Sequence, residues 1–322
     1  MRRSRILRGL AIALPTVLIL GYGGASLYVY DKLSRADTAC AQVSNPGEPD
    51  TFTIEGVDTE PYHAASFETV RFPSHDAPDI TIAATWIPSD VADDAPAIVV
   101  VHGHNACRRH PDVLLAGGML HRAGFAVIIP DLRDHGDSTV EDGRFAGGAD
   151  EQLDARGAVD WLAARPTPPR QIAIMGFSLG AATSTIAFGQ DSRIAALWED
   201  SSFADVSEAI RDELSRTGYP TILEFGGIWA GRILSNDDFT AFTPLEEIGH
   251  ANGRPVFITH GANDTRLPTR YASALAARVR ETGGAVEPWI VPGATHTQAV
   301  TLVPDEYDQR LTAFFIGALG QP

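Results

Sequence analysis

Two stretches of this chain are apolar at every position, Ala97-Ile98-Val99-Val100-Val101 and Ala126-Val127-Ile128-Ile129. A strand with one wet face alternates apolar and polar residues, so unbroken runs belong to strands covered on both faces, as in a parallel sheet between helical layers. The rest of the sequence repeats the theme. Residues 67–72 and 80–87 read as antiparallel neighbours ahead of these runs, and residues 171–175, 194–198, 256–259 and 286–291 read as strands after them. Helical patterns intervene at 111–123 and at Leu153, Gly157, Ala158, Trp161 and Leu162, the latter stopped by Pro166, Pro168 and Pro169. A last one shows Tyr307, Leu311, Phe314, Phe315 and Ala318 on one face. Strands alternating with helices predict an α/β fold with a doubly wound, mainly parallel sheet.

One segment breaks the rhythm. Residues 203–244 hold helical patches and no strand, too long for a simple connection, and read as an inserted helical lid. Its aromatics Phe203, Tyr219, Phe225, Trp229, Phe239 and Phe242 predict an apolar acyl pocket, the plainer alternative being that they pack the lid onto the sheet.

The amino-terminal end is different in kind. Residues 9–30 carry no charge and follow Arg2, Arg3, Arg5 and Arg8. A helix of 22 residues is about 33 Å long, enough to cross a bilayer, and the run ends among Tyr22, Tyr28 and Tyr30. The expectation is an uncleaved signal anchor over residues 1–30: a single-pass cell-membrane protein with its body on the extracytoplasmic side. The rival is cleavage after Gly23-Gly24-Ala25 and secretion. Cys40 does not suit a lipoprotein site, because Asp37 stands where that signal needs an aliphatic residue. Export permits a disulfide, and only Cys40 and Cys107 are available for one, although two unpaired thiols is the plainer reading. Residues 31–65 are polar and turn-rich and read as a tether and lead-in, leaving residues 66–322 as one catalytic-sized domain.

Charge narrows the partners. The chain has 25 Lys and Arg against 41 Asp and Glu, a net charge of −16; the first 30 residues hold four arginines and no acid, so the remainder carries −20. Such a body should repel nucleic acid. With 44% hydrophobic and 20% charged residues the chain is excluded from the disordered, collagenous and coiled-coil classes.

In an open parallel sheet the chemistry sits beyond the carboxyl ends of the strands. Gly176-Phe177-Ser178-Leu179-Gly180 follows one such end and runs into the small-residue segment Ala181-Ala182-Thr183. A sharp turn from strand to helix holds Ser178 exposed in a strained conformation, and larger residues at 176 or 180 would collide there. The pentapeptide alone is weak; its placement between a buried strand and a helix gives it meaning. Val101-His102-Gly103-His104-Asn105 follows an earlier strand and offers a second backbone donor, so the N–H groups of His104 and Leu179 are the candidate oxyanion hole. Two histidines at i and i+2 without nearby carboxylates or thiols make a poor metal site, and neither metal nor cofactor is expected. His260-Gly261-Ala262-Asn263-Asp264 supplies a carboxylate that can orient a histidine, or else a helix cap, with Asp200 as runner-up acid. Pro292-Gly293-Ala294-Thr295-His296 supplies the histidine, and an imidazole, with an ordinary pKa near 6.5, suits proton transfer.

These motifs resemble the α/β-hydrolase superfamily over residues 67–319, through His102-Gly103, the turn around Ser178, Gly261-Ala262-Asn263-Asp264 and Gly293-Ala294-Thr295-His296. The chain is most similar to bacterial membrane-anchored serine hydrolases of the dienelactone-hydrolase and prolyl-oligopeptidase-like branch, without a propeller domain ahead of the body. The resemblance implies an eight-stranded sheet and a catalytic triad of Ser178, His296 and Asp264. It also implies that Arg133 and His135, in Asp131-Leu132-Arg133-Asp134-His135-Gly136-Asp137-Ser138, are structural rather than catalytic. Arg108 and Arg109, beside the candidate oxyanion loop, are either contacts for an anionic substrate or solvated surface. The expected partner is a small-molecule acyl substrate and the expected activity carboxylic-ester hydrolysis. Peptidase or amidase activity, and a non-catalytic anchored binding module, are the alternatives; oligomeric state stays open.

Overall fold

The computed structural model describes residues 2–235 and 238–322, with side-chain surroundings from residue 14 onward. The chain begins with α1 (Arg2–Ser34), followed by a short 3-10 turn at Glu60–Tyr62. A strand pair, β1 (Glu68–Ser74) and β2 (Ala77–Ile87), leads into β3 (Ala97–Val101), α2 (Pro111–Arg122), β4 (Ala126–Pro130) and α3 (Glu151–Ala163). Then come β5 (Ile172–Phe177), α4 (Leu179–Gln190), β6 (Ile194–Asp200), and the inserted helices α5 (Val206–Arg216), α6 (Leu223–Leu234) and α7 (Pro244–Glu247). The chain closes with β7 (Val256–Gly261), α8 (Arg270–Glu281), β8 (Trp289–Val291), α9 (Ala299–Leu302) and α10 (Pro304–Leu319).

Local chemistry sets the ends. Pro111 and Pro304 occupy first-turn positions where no N–H is missed, and Asp205 caps α5 by accepting from the Glu208 N–H at 3.0 Å. Strand β8 is shorter than the expected 286–291. Pro288 immediately precedes it, and a residue with no N–H cannot add a rung to the ladder.

The eight strands form one sheet in the order β1-β2-β4-β3-β5-β6-β7-β8. Strands β1 with β2 and β2 with β4 pair antiparallel, the remainder parallel. The winding reverses between β3 and β5, so the loops leaving these two strands part to opposite sides and open a crevice between them. Alternation along the buried strands divides the core in two. Val99, Val101, Ile128, Ile174 and Leu197 face the layer containing α3, α4 and α8, whereas Ile98, Val100, Val127, Met175 and Trp198 face α2 and α10.

The expected membrane-crossing helix needs correction. Among the described residues no helix is long and apolar enough to cross a membrane, and residues 9–13 of the expected span lie outside those whose side chains are described. The end of the run belongs to the domain: Ser26, Val29 and Tyr30 are buried, packed on the glycine-rich face of α6. Side chains at Gly226 and Gly231 would run into Ser26 and into Phe239 and Tyr30 respectively, so the close approach of the helices depends on glycine there. The 17 residues left, 9–25, would span about 26 Å, short of a typical hydrocarbon core.

Residues 31–65 also lie against the body. The Phe145 N–H donates to Ser34 O at 2.8 Å, the Ala36 N–H to Gly143 O at 2.9 Å and the Gly47 N–H to Arg109 O at 3.0 Å. Cys40 and Cys107 are joined as a disulfide with their Cα atoms 5.7 Å apart, in place of the two free thiols.

Candidate active site

Ser178 occupies the turn from β5 to α4 with φ 54° and ψ −118°, a conformation that costs about 1–3 kcal/mol for a residue with a Cβ. Its surroundings impose it. The Ser178 N–H donates to Asp200 O at 2.9 Å, and Ser178 O accepts from the Ala181 and Ala182 N–H groups at 3.0 and 3.1 Å. A Cβ at Gly176 would strike Gly180 O, and one at Gly180 would strike the carbonyls of Val101 and His102, so both glycines are steric requirements of the turn.

The loop after β8 brings His296 to this turn. His296 Nε2 lies 2.8 Å from Ser178 Oγ and Nδ1 lies 2.7 Å from Asp264 Oδ2. With the ring proton on Nδ1, donated to the carboxylate, Nε2 is free to accept the serine hydroxyl. The other Asp264 oxygen accepts from the N–H groups of Arg266 and Leu267, both at 2.9 Å, so the residue caps a turn as well as holding the imidazole. The buried His260 ring stands 3.3 Å from Asp264 Oδ2 and donates from Nε2 to Leu267 O at 2.6 Å. Burial alone would raise the Asp264 carboxyl. Hydrogen bonds from His260 and His296 override it and hold the group well below the ordinary carboxylate range, so it stays ionised beside the imidazole.

Asp200, the alternative acid, is elsewhere engaged. Its carboxylate accepts from Ser201 Oγ and Tyr307 Oη, both at 2.8 Å, and burial raises its pKa to about 6. It touches the loop carrying the histidine through Ser201, whose Oγ accepts the Thr297 N–H at 3.3 Å.

Gly103 places the β3 loop against the serine turn, since a Cβ there would lie 3.3 Å from Ser178 Cβ. Among the described residues the N–H groups of His104 and Leu179 donate to no other group. His102 is fixed beneath them, donating from Nδ1 to Gly103 O at 2.8 Å and accepting the Leu132 N–H at Nε2 at 3.0 Å; burial drives its pKa well down and keeps it neutral. His104 donates from Nε2 to Arg35 O at 2.8 Å, and burial lowers its pKa to about 3. Among the described residues no group of His, Cys, Asp or Glu is arranged to hold a metal ion.

Buried ion pairs steady the neighbouring loops. Arg133 makes a fork with Asp154 at 2.9 to 3.2 Å, and His135 contacts Arg133 O at 2.9 Å. Arg108 is buried between Asp131 at 3.2 Å and Asp137 at 2.5 Å. It is therefore spent on the fold, and neither it nor Arg109 lines the cavity above Ser178.

That cavity measures about 640 Å³ and has Ser178, Leu179 and His104 in its lining. Of the six aromatics expected in a pocket, Phe203, Tyr219 and Phe239 line it; Phe225, Trp229 and Phe242 do not, and the first two of these are exposed to solvent. Two contributions were not foreseen from the sequence. Residues 28–35 of the first helix and its exit form one wall, and Arg266 another part. The same lack of charge that reads as lipid-facing for residues 28–30 also suits a pocket wall, and the sequence signal for the second histidine at Asp264 is the position of His260 at a strand end, four residues before it.

A model of the prolyl oligopeptidase family matches residues 117–322, which include Ser178, Asp264 and His296. The chain belongs to the prolyl oligopeptidase family. It is an α/β-fold serine hydrolase, in the branch of the superfamily that its motifs resemble. Solved structures agree on the fold. An esterase of Pyrococcus furiosus is 19% identical with a TM-score of 0.66, covering 86% of this chain and 100% of its own. A hypothetical protein of Pseudomonas aeruginosa is 17% identical with a TM-score of 0.62, covering 86% and 99%. The acylaminoacyl peptidase of Pyrococcus horikoshii is 18% identical with a TM-score of 0.58, covering 80% of this chain but 42% of the other. No curated protein matches by sequence.

Proposed function

We propose that this member of the prolyl oligopeptidase family hydrolyses carboxylic esters, with Ser178 as nucleophile, His296 as general base and then acid, and Asp264 as the group that orients the imidazole. The observation that carries this is the unbroken chain from Ser178 Oγ through both His296 nitrogens to Asp264, with hydrogen bonds of 2.8 and 2.7 Å. Ser178 Oγ attacks the acyl carbonyl while Nε2 takes its proton, and the carbonyl oxygen becomes an oxyanion held by the His104 and Leu179 N–H groups. The tetrahedral centre collapses, and His296 returns the proton to the departing alcohol. Water, deprotonated in its turn by His296, then releases the acid and regenerates the serine.

The ester reading is supported by the similar esterase, matched over 100% of its own length where the acylaminoacyl peptidase is matched over 42%. The cavity lining, which includes Val29, Leu214 and Ile228, suits an acyl chain, and α5 and α6 serve as a lid over it. A peptidase reading is favoured by the family's name and by the acylaminoacyl peptidase among the similar structures. The disulfide supports an extracytoplasmic location, since such bonds persist in oxidising compartments.

The deciding experiment compares p-nitrophenyl acyl esters with peptide p-nitroanilides on the purified full chain. We expect turnover of the esters, improving with acyl length, and little or none of the anilides. Faster cleavage of the anilides would overturn the ester assignment while leaving the triad in place.

A further inference from the structure

The outer surface of α6 is unlike the rest of the exterior. Ile222, Phe225, Trp229 and Ile233 recur at helical spacing on one face and are 62%, 61%, 59% and 73% exposed. They are not part of the cavity lining, and the inward face of the helix is already occupied by α1. Among the described residues, every exposed large apolar side chain except Val91, Val140 and Leu302 lies on α1 or between residues 219 and 234. The two helices share this surface. Tyr22 Oη donates to Ile222 O at 2.9 Å, which brings the start of the α6 face beside α1 just after its exposed Leu14, Val17, Leu18, Ile19 and Leu20. Concentrating apolar surface in one patch marks a contact site.

We propose that the outer face of α6, together with residues 14–20 of α1, is a lipid-docking surface that seats the chain on a bilayer without crossing it. Two observations select lipid over protein. The sequence places Arg2, Arg3, Arg5 and Arg8 immediately before the apolar stretch, where their charges suit anionic headgroups. The aromatics at the patch, Trp229 with Tyr22, Tyr28 and Tyr219, have the amphipathic character found at membrane interfaces. Because Tyr28 and Tyr219 also border the cavity over Ser178, a chain seated this way would hold the cavity mouth near the lipid surface.

The test needs no knowledge of the natural substrate, and its vesicle-binding readouts do not depend on the ester assignment. Full-length protein is mixed with vesicles of phosphatidylcholine containing about one-fifth phosphatidylglycerol, with brominated acyl chains, and tryptophan fluorescence is followed. Quenching is expected in the wild type and is expected to disappear in Trp229→Phe, which leaves the other four tryptophans in place. The triple variant Ile222→Ser, Phe225→Ser, Ile233→Ser should bind at least about tenfold more weakly while keeping wild-type turnover of a short soluble ester. If the triple variant misfolds, Trp229→Phe alone decides. Quenching that persists in Trp229→Phe, or vesicle binding unchanged in a folded triple variant, would overturn the proposal. So would a wild type that ignores vesicles and sediments as a dimer which the triple variant reduces to a monomer.

Discussion

At the carboxyl ends of β5 to β8 position is set by hydrogen bonds: Asp264 accepts from two backbone N–H groups as well as from His296, and Asp200 accepts from Ser201 and Tyr307. Above that rim, α1 and α6 meet through Gly226, Gly227, Ala230 and Gly231 against Ser26, Val29 and Tyr30, and much of their outer surface is apolar and wet. Hydrogen bonds are directional and specify geometry to a few tenths of an ångström, whereas apolar contact specifies little beyond shape and area. The difference assigns the two regions different work. On the proposed function the rim would carry the chemistry, which tolerates little displacement, and the helical roof would carry substrate fit and the proposed attachment, which can be altered without dismantling the site.

Substitutions can break or sharpen this division. The largest effect is expected from Asp264→Asn, which keeps the shape but removes the charge that fixes the imidazole tautomer; kcat should fall by about 10⁴-fold, measured by steady-state kinetics on a soluble ester. Asp200→Asn should lose much less, because the Asp200 carboxylate is hydrogen-bonded to Ser201 and Tyr307 rather than to His296. Equal losses would mean that the rim acts as one network rather than through a triad.

A smaller effect is expected at the junction of rim and roof. The Cys40–Cys107 bridge, with a sequence separation of 67, ties the segment after α1 to the loop carrying His104. Replacing both cysteines with serine should lower unfolding stability by about 2–4 kcal/mol, read as a shift in the denaturant midpoint. An unchanged midpoint would show that the backbone hydrogen bonds of residues 36–47 hold the junction unaided.

The mildest effect is expected in the roof. Val29→Phe projects bulk into the cavity wall and should raise KM for long acyl esters by about tenfold while leaving acetate esters nearly untouched. If acetate turnover collapses as well, α1 is coupled to the rim and the separation fails.

The same contrast explains what could be read from the chain. The sheet was legible because its strands announce two-sided burial in their composition, as 97–101 and 126–129 do. Ser178, Asp264 and His296 were legible because each follows a strand end, where topology rather than sequence proximity brings residues together. The roof was not. An uncharged helix reads the same whether its neighbour is lipid or another helix, and only the packing of residues 26–30 on α6 distinguishes them. The disulfide was unreadable for a related reason: with Cys40 in an apparent tether, nothing local fixed its distance from Cys107.

The most direct test of the central claim is labelling of the purified full chain with a fluorophosphonate, followed by peptide mapping. The account predicts stoichiometric modification at Ser178, stopped by Ser178→Ala and strongly slowed by His296→Ala. Modification of another serine, or labelling of Ser178 at an undiminished rate without His296, would contradict it.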